Sequence, residues 1–563
     1  MLSRELLQVR IRARQFESLP YRNKSQENEQ ERQTEIERKM EENTMVTALN
    51  PILCGFYPDP SVCRAGEDYY MVNSSFSYFP GVPIFHSRDL AHWEQTGNIL
   101  DRKEQVWLKG GEISEGIFAP TIRHHNGIFY MVTTNMTRGG NFVVTAQDPA
   151  GPWSDPYYLG EEAQGIDPSL FFDTDGKCYY VGTRPNSQGM RYNGDWEIWV
   201  QELDLDDMKL VGGSQVIWKE ALHGALWSEG PHLYKIDGYY YLIYAEGGTG
   251  PEHSICAARC RNLFQMFEGC PRNPVFTHRD LGLSYPVVYA GHGDLVDDGE
   301  GNWYIIMLAS RRCRQHSSMG RESFLAKVTW ENGWPVINAG TGRLCDRVEL
   351  PFEEYRFADE ISHHDHLHFH EGELDDRLLG LQTRNEEQYS LGARPGFLRL
   401  YAREERIIDK VNASYLGIRQ KDYCFEVSVG VEFVPREQES AGLVYYQNHE
   451  NHLRMEITEK KGRRIFCVTA HIHGRDQIIS ETPIGQEGMA EIILRAREQT
   501  AAVWVKAGGQ KTLAAEDISL LPYTTEEAGG FVGCTVGMYA SANGKSNGNY
   551  ADFAWLAYDA LQA

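Results

Sequence analysis

Three carboxylates stand at matched places in a repeating pattern: Asp59 in YPDPSV, Asp167 in DPSLFF and Glu229 in SEGPHLY. A lone Asp before Pro is ordinary turn chemistry, because its side chain bonds to the backbone just after it. Three acids at equivalent positions are another matter. If the segments they open are equivalent strands around one axis, the acids converge and raise one another's pKa. Stability gives no motive for such crowding, whereas proton-transfer chemistry does. Cleaving a glycosidic bond with water needs a protonated carboxylic acid at the leaving oxygen and an ionised carboxylate elsewhere. At about 6.5–9.5 Å apart the pair admits a water and inverts configuration, and at about 5–5.5 Å the second carboxylate attacks directly and retains it. A third acid nearby holds the first protonated near neutral pH.

The elements that must position these acids recur five times. Openers DPSV (59–62), APTI (119–122), DPSLFF (167–172), EGPHLY (229–234) and GHGDLV (291–296) each lead through a polar turn to a second strand rich in aromatics. Those second strands read GEDYYMV (66–72), NGIFYMV (126–132), DGKCYYV (175–181), DGYYYLIY (237–244) and EGNWYIIM (300–307). Copies at this spacing signal a radial or stacked repeat, and four short strands per copy is the content of one propeller blade. Residues 48–346 are therefore expected to form a five-bladed β-propeller; an open sandwich gives no reason for registered copies. Paired aromatics such as Tyr69–Tyr70 point to opposite faces of a strand, so one ring packs between blades.

At 563 residues the chain is long enough for two large domains. After PFEEYRF the repeat ends, and alternating segments such as CFEVSVGVEF (424–433) and HLRMEITEK (452–460) predict a β-sandwich over 350–563. Residues 1–47 are dominated by charge and read as a solvated, partly helical tail; Met45 just before the first core segment leaves open whether 1–44 belong to the native protein. A formal charge of −24 disfavours nucleic acid and anionic membranes and is indifferent to a neutral sugar. No long apolar run predicts a membrane span, and no apolar signal core predicts secretion. Eleven cysteines with no CxxC pair read as reduced thiols, so a cytoplasmic location is expected. In SHHDHLHFH (362–370), His366, His368 and His370 share a strand face, but no acidic or Cys partner set is evident, and a metal role is not assigned.

NPILCGFYPDPSV (50–62), SSFSYFPGVPIFHSRDLAHW (74–93), DPSLFFDTDGKCYYVGT (167–183), SEGPHLYKIDGYYYLIYAEGGTG (228–250) and GRESFLAKVTWENGWPVIN (320–338) together resemble glycoside hydrolase family 43. The likeness is greatest to its β-xylosidases with an added C-terminal domain, and runs in order over about 48 to 560. It implies an all-β protein: a five-bladed β-propeller followed by a concanavalin-A-like β-sandwich that closes one side of the pocket. It makes Asp59 the general base, Glu229 the general acid and Asp167 the modulator of the acid's pKa, with inversion of configuration. Glu246 in YAEGG is a rival acid, set aside as lying at the far end of its strand. Arg321 of GRES matches an arginine that reaches the terminal sugar; the alternative is a surface ion pair. Phe76 matches a phenylalanine lining that sugar's site. Phe118 of GIFAP stands where many relatives carry Trp, keeping an aromatic face without the indole N–H. His292 of GHGD corresponds to a histidine near the axis, beside a calcium or water cluster in some members; the alternative is a histidine hydrogen-bonded within the core.

The expected activity is exo-acting release of D-xylose from non-reducing ends of xylo-oligosaccharides. The alternatives are an α-L-arabinofuranosidase or dual enzyme and, more remotely, a non-catalytic carbohydrate-binding protein. The opener of fructosidase-type retaining propellers is absent. No cofactor is required, a structural calcium at the axis is allowed, and a homo-oligomer is compatible with the resemblance although no interface can be read.

Overall fold

The computed structural model describes residues 45–562 apart from 220–223, 283, 384–385 and 546–547. The expectation of a charged tail falls almost wholly outside them. Two compact units are present. In the smaller one, which includes Thr47 and Glu349–Glu354, Thr47 Oγ1 lies 2.9–3.0 Å from the Glu349 carboxylate. The larger unit, Ala48–Val348 with Tyr355–Ala563, holds everything that follows.

Five antiparallel sheets succeed one another along the first part of this unit. Their first strands are Ser61–Ala65, Thr121–His125, Ile166–Phe172, Glu229–Ile236 and Val287–Asp297, and their second strands are Asp68–Val72, Ile128–Asn135, Cys178–Pro185, Tyr239–Glu246 and Trp303–Arg311. Openers and aromatic strands thus fall where the repeat places them. Tight hairpins join several pairs: Asn126–Gly127 and Asp237–Gly238 have positive φ at both residues, the conformation whose twist suits a two-residue turn. The first strands of successive sheets pack on one another in order, and that of the fifth returns to that of the first, closing the ring of a five-bladed propeller.

Aromatic rings fill the gaps between blades. Tyr70 of the first sheet meets Phe129 of the second at 5.1 Å, Tyr130 meets Phe172 of the third at 5.1 Å, and Phe171 meets Tyr240 of the fourth at 5.9 Å. At the axis a polar knot replaces apolar packing. The Asp294 carboxylate of the fifth sheet accepts from Ser61 Oγ (2.6 Å) and Val62 N (3.1 Å) of the first and from Arg123 Nη1 (2.8 Å) of the second. It also accepts from Tyr234 of the fourth. Arg123 Nη2 donates in turn to His232 Nδ1 at 2.9 Å. The third sheet is held by Ser169 Oγ, which donates to the Pro231 carbonyl at 2.5 Å.

Beyond the propeller, an eight-stranded and a six-stranded sheet form a sandwich. Strand Cys424–Glu432 alternates: Phe425, Val427, Val429 and Val431 are buried between the sheets, and Glu426 and Ser428 face outward. The sandwich touches the propeller closely at Gly320 and Gly533. A Cβ on Gly533 would sit 2.3 Å from the Met319 carbonyl oxygen, so only glycine admits this approach. It aligns the Cys534 N–H to donate to the Ser318 carbonyl at 2.7 Å.

Candidate active site

The heads of the inner strands are conformationally unusual. Asp59 and Asp167 both have φ of 51°, Gly230 has 53° and His292 has 46°. Asp tolerates this left-handed region better than most residues, at a cost of about 1–3 kcal/mol. The ladders slip there as well: pairing shifts between Ile166 and Ser169, between Glu229 and His232, and between Gly291 and Gly293. Bulges of this kind re-aim side chains, and here the acids line one cavity. Asp59, Asp167 and Glu229 share a pocket of about 370 Å³, within the roughly 300–1,000 Å³ usual for small-molecule sites.

Their environments differ. Asp59 is buried, its Oδ1 accepting from Arg321 Nη1 at 2.7 Å and its Oδ2 from Ser74 Oγ at 2.6 Å. Burial pushes its pKa up, but Arg321, then His292, Ser74 and His253 outweigh burial and hold the carboxyl below its ordinary value. Asp167 Oδ2 accepts from the Gly230 N–H at 3.3 Å. Burial raises it, Asp59 adds repulsion, and the partial opposition of His292, Gly230 and Arg321 leaves it at about 6. Glu229, open to the cavity though deep in the fold, is raised well above its ordinary value by burial and then by Asp167 and Asp59; Arg321 alone opposes. One cavity thus holds an ionised carboxylate and a protonated one.

The other residues singled out from sequence gather here too. Phe76, Phe118, Arg321 and His292 all line the pocket. Phe76 and Phe118 lie 5.3 Å apart, and the Arg321 guanidinium sits 5.7 Å from the Phe76 ring. Arg321 is buried and paired to Asp59, not a surface ion pair, and its Nε has no protein partner. The His292 ring lies against Gly230, where a Cβ would come within 2.8 Å of it. A calcium ion takes six to eight oxygen ligands, but the axial carboxylate of Asp294 is already engaged by Ser61, Arg123 and Tyr234. The neighbours His232 and His292 offer nitrogen, so these residues do not fit that ion. Among the described residues, no group of His, Cys, Asp or Glu is placed to hold a metal. In the His-rich segment, His364 Nδ1 and His366 Nε2 each pair with Asp559 Oδ1 at 2.9 Å, so an acidic partner exists that the sequence did not reveal.

Antiparallel pairing sets Ala245 opposite Glu229, and Glu246, the last residue of its strand Tyr239–Glu246, lies outside the cavity of the three acids. Its side chain turns to the other face and lines a separate cavity of about 300 Å³ with Arg279 and Asn273. Sequence reasoning missed His253, Trp196, Trp227 and Phe531. Trp227 could have been suspected from its place two residues before Glu229. His253 Nδ1 donates to the Tyr289 carbonyl at 2.8 Å, and burial takes its pKa down to about 4, so its ring is neutral at pH 7. Phe531 comes from the sandwich; its N–H donates to Ser114 Oγ at 2.9 Å, and its ring stands 6.0 Å from Phe76 and 6.2 Å from Phe118.

Residues 48–335 match the family model described as glycosyl hydrolases family 43, and 366–559 match the beta xylosidase C-terminal concanavalin A-like domain. A xylosidase/arabinosidase from Butyrivibrio fibrisolvens is 61% identical over 514 residues, 91% of this chain and 99% of that protein. A non-reducing end alpha-L-arabinofuranosidase from Bacteroides ovatus is 36% identical over 92% of this chain and 95% of that protein. The crystal structure of a xylan beta-1,4-xylosidase from Bacillus halodurans superposes with a TM-score of 0.85 at 33% identity, covering 91% of this chain and 100% of that one.

Proposed function

The chain belongs to glycosyl hydrolases family 43, and on that footing we propose that it releases D-xylose from the non-reducing ends of xylo-oligosaccharides with inversion of configuration. Asp59, ionised, is the general base. One of its oxygens takes a proton from a water as that water attacks the anomeric carbon. Arg321 and Ser74 hold the carboxylate in place and keep its proton affinity low. Glu229 is the general acid and delivers its proton to the leaving oxygen. Asp167 keeps Glu229 protonated by its charge and does not react itself. Phe76, Phe118 and Phe531 offer aromatic faces to the C–H side of a sugar ring. Arg321 Nε is left free to donate to a sugar hydroxyl.

The single observation that carries this proposal is the split in protonation between Asp59 and Glu229 within one sugar-sized cavity. A second activity, on α-L-arabinofuranosides, is favoured by the name of the 61% identical relative. The chemistry requires no cofactor. We place the enzyme in the cytoplasm, in keeping with eleven free cysteines; among the described residues no helix is long and apolar enough to cross a membrane. The test is turnover of p-nitrophenyl β-D-xyloside and α-L-arabinofuranoside with the first anomer recorded by NMR. Inversion is expected, with Glu229→Gln losing about 10²-fold or more on xylobiose, the range of general acid catalysis. A retained anomer, or unimpaired Glu229→Gln, would refute the assigned roles.

A further inference from the structure

We propose that Cys54 is a peroxide-reactive thiol, activated by His363 and Asp422 in an array separate from the sugar cavity. Three distant stretches of chain build it. Cys54 lies in the segment leading into the first sheet, His363 just before strand His364–His368, and Asp422 in the turn before strand Cys424–Glu432. Cys54 Sγ is 3.6 Å from His363 Nε2, and His363 Nδ1 is 2.8 Å from Asp422 Oδ1. The order nucleophile, base, orienting carboxylate is the arrangement that activates a weak nucleophile. Asp422 is itself fixed: Tyr558 Oη accepts the N–H groups of Lys421 and Asp422, each at 3.0 Å, and donates to Asp422 Oδ2 at 3.3 Å. Asp422 first, then Cys54, raises the His363 pKa to about 10, so the imidazole carries a proton at neutral pH.

The surrounding charges are already matched. Arg311 pairs with Glu322 at 2.7 Å, and Lys421 pairs with Asp365. The remaining hydrogen-bond partner of the sulfur is the Pro51 carbonyl at 3.7 Å. With 48% of the His363 side chain exposed, a small solute can reach the pair. Among the described residues, none of the other cysteines has an imidazole nitrogen within hydrogen-bond reach of its sulfur.

In the reaction the Cys54 thiolate attacks one oxygen of hydrogen peroxide. The S–O bond forms as the O–O bond breaks, sulfur gives up two electrons, and the departing hydroxide takes the proton from His363 Nε2 to leave as water. Cys54 becomes a sulfenic acid. A protonated imidazole beside the sulfur favours the nucleophilic thiolate and supplies the proton to the leaving oxygen, and its removal should cost roughly tenfold in rate.

The experiment uses the full-length protein, dilute peroxide and a dimedone trap, with every cysteine read by peptide mass spectrometry. Cys54 should label ahead of the partly exposed Cys260, Cys313, Cys345 and Cys467, and His363→Gln should cut its labelling about tenfold while leaving the others and xyloside turnover unchanged. A second measurement needs no variant: iodoacetamide at one fixed pH should alkylate Cys54 ahead of Cys260, Cys313, Cys345 and Cys467. Labelling or alkylation of Cys54 no faster than that of the others would overturn the proposal.

Discussion

Replacing Arg321 by Met removes the charge that keeps Asp59 ionised while preserving much of the side chain's length. Arg321 Nη1 and Asp59 Oδ1 are 2.7 Å apart, and both residues are buried. With charge centres about 4 Å apart and an effective dielectric of about 20, the attraction is about 4 kcal/mol, or about 3 pKa units. Asp–Arg neighbours in folded proteins shift by about 1–3. Burial, the largest influence on Asp59, then acts with only His292, Ser74 and His253 against it, so the carboxyl should rise by about 1–3 units. Arg321 also opposes the rise of Glu229, so without it the Glu229 carboxyl rises too. The assay is kcat/KM on p-nitrophenyl β-D-xyloside across pH, whose limbs report the free enzyme. The acid limb should move to higher pH by about 1–3 units and the alkaline limb in the same direction, while Arg321→Lys, which keeps the charge, should move them far less. An acid limb that stays in place, or moves to lower pH, would show that Arg321 does not set the protonation of Asp59 or that Asp59 is not the base.

Asp167→Asn should have the opposite effect on Glu229: with a repelling charge gone, the alkaline limb should fall by about 1–2 units, read from the same profile. Asp294 has a folded pKa of about 2, below the ordinary 3.8. Its contribution to stability is therefore complete above about pH 4 and is lost as pH falls towards 2, amounting to about 2 kcal/mol; acid unfolding followed by tryptophan fluorescence should steepen in that window. Asp294→Asn strands the Arg123 guanidinium and should destabilise by about 3–5 kcal/mol, seen as a lower calorimetric melting temperature. Phe531→Ala should raise KM about three- to tenfold with little change in kcat, since an aromatic contact is worth about 0.5–1.5 kcal/mol; an unchanged KM would mean that the sandwich's ring does not meet substrate.

The acids were legible because a repeat converts sequence position into spatial position. Asp59, Asp167 and Glu229 occupy the same place in their copies, so a ring must bring them together. The left-handed conformation at Asp59 and Asp167 was not legible, because a residue before Pro favours extended backbone; at Asp167 a strand bulge accompanies the departure. The face that Glu246 takes was not legible, because it depends on strand register, which a one-residue slip reverses. Phe531 left no local trace: it enters the pocket only because Gly320 and Gly533 let two distant surfaces meet. Asp559 was hidden as a partner of His364 and His366 for the same reason, since a cross-strand neighbour is not a sequence neighbour.

The knot around Asp294 separates what must stay fixed from what is free to drift. The first, second and fourth inner strands are moored to a carboxylate that the fifth carries, and the third is moored to the fourth through Ser169. Lengthening or recolouring a loop at the rim leaves these moorings untouched. Pocket walls can therefore change while the spacing of Asp59, Asp167 and Glu229 is kept.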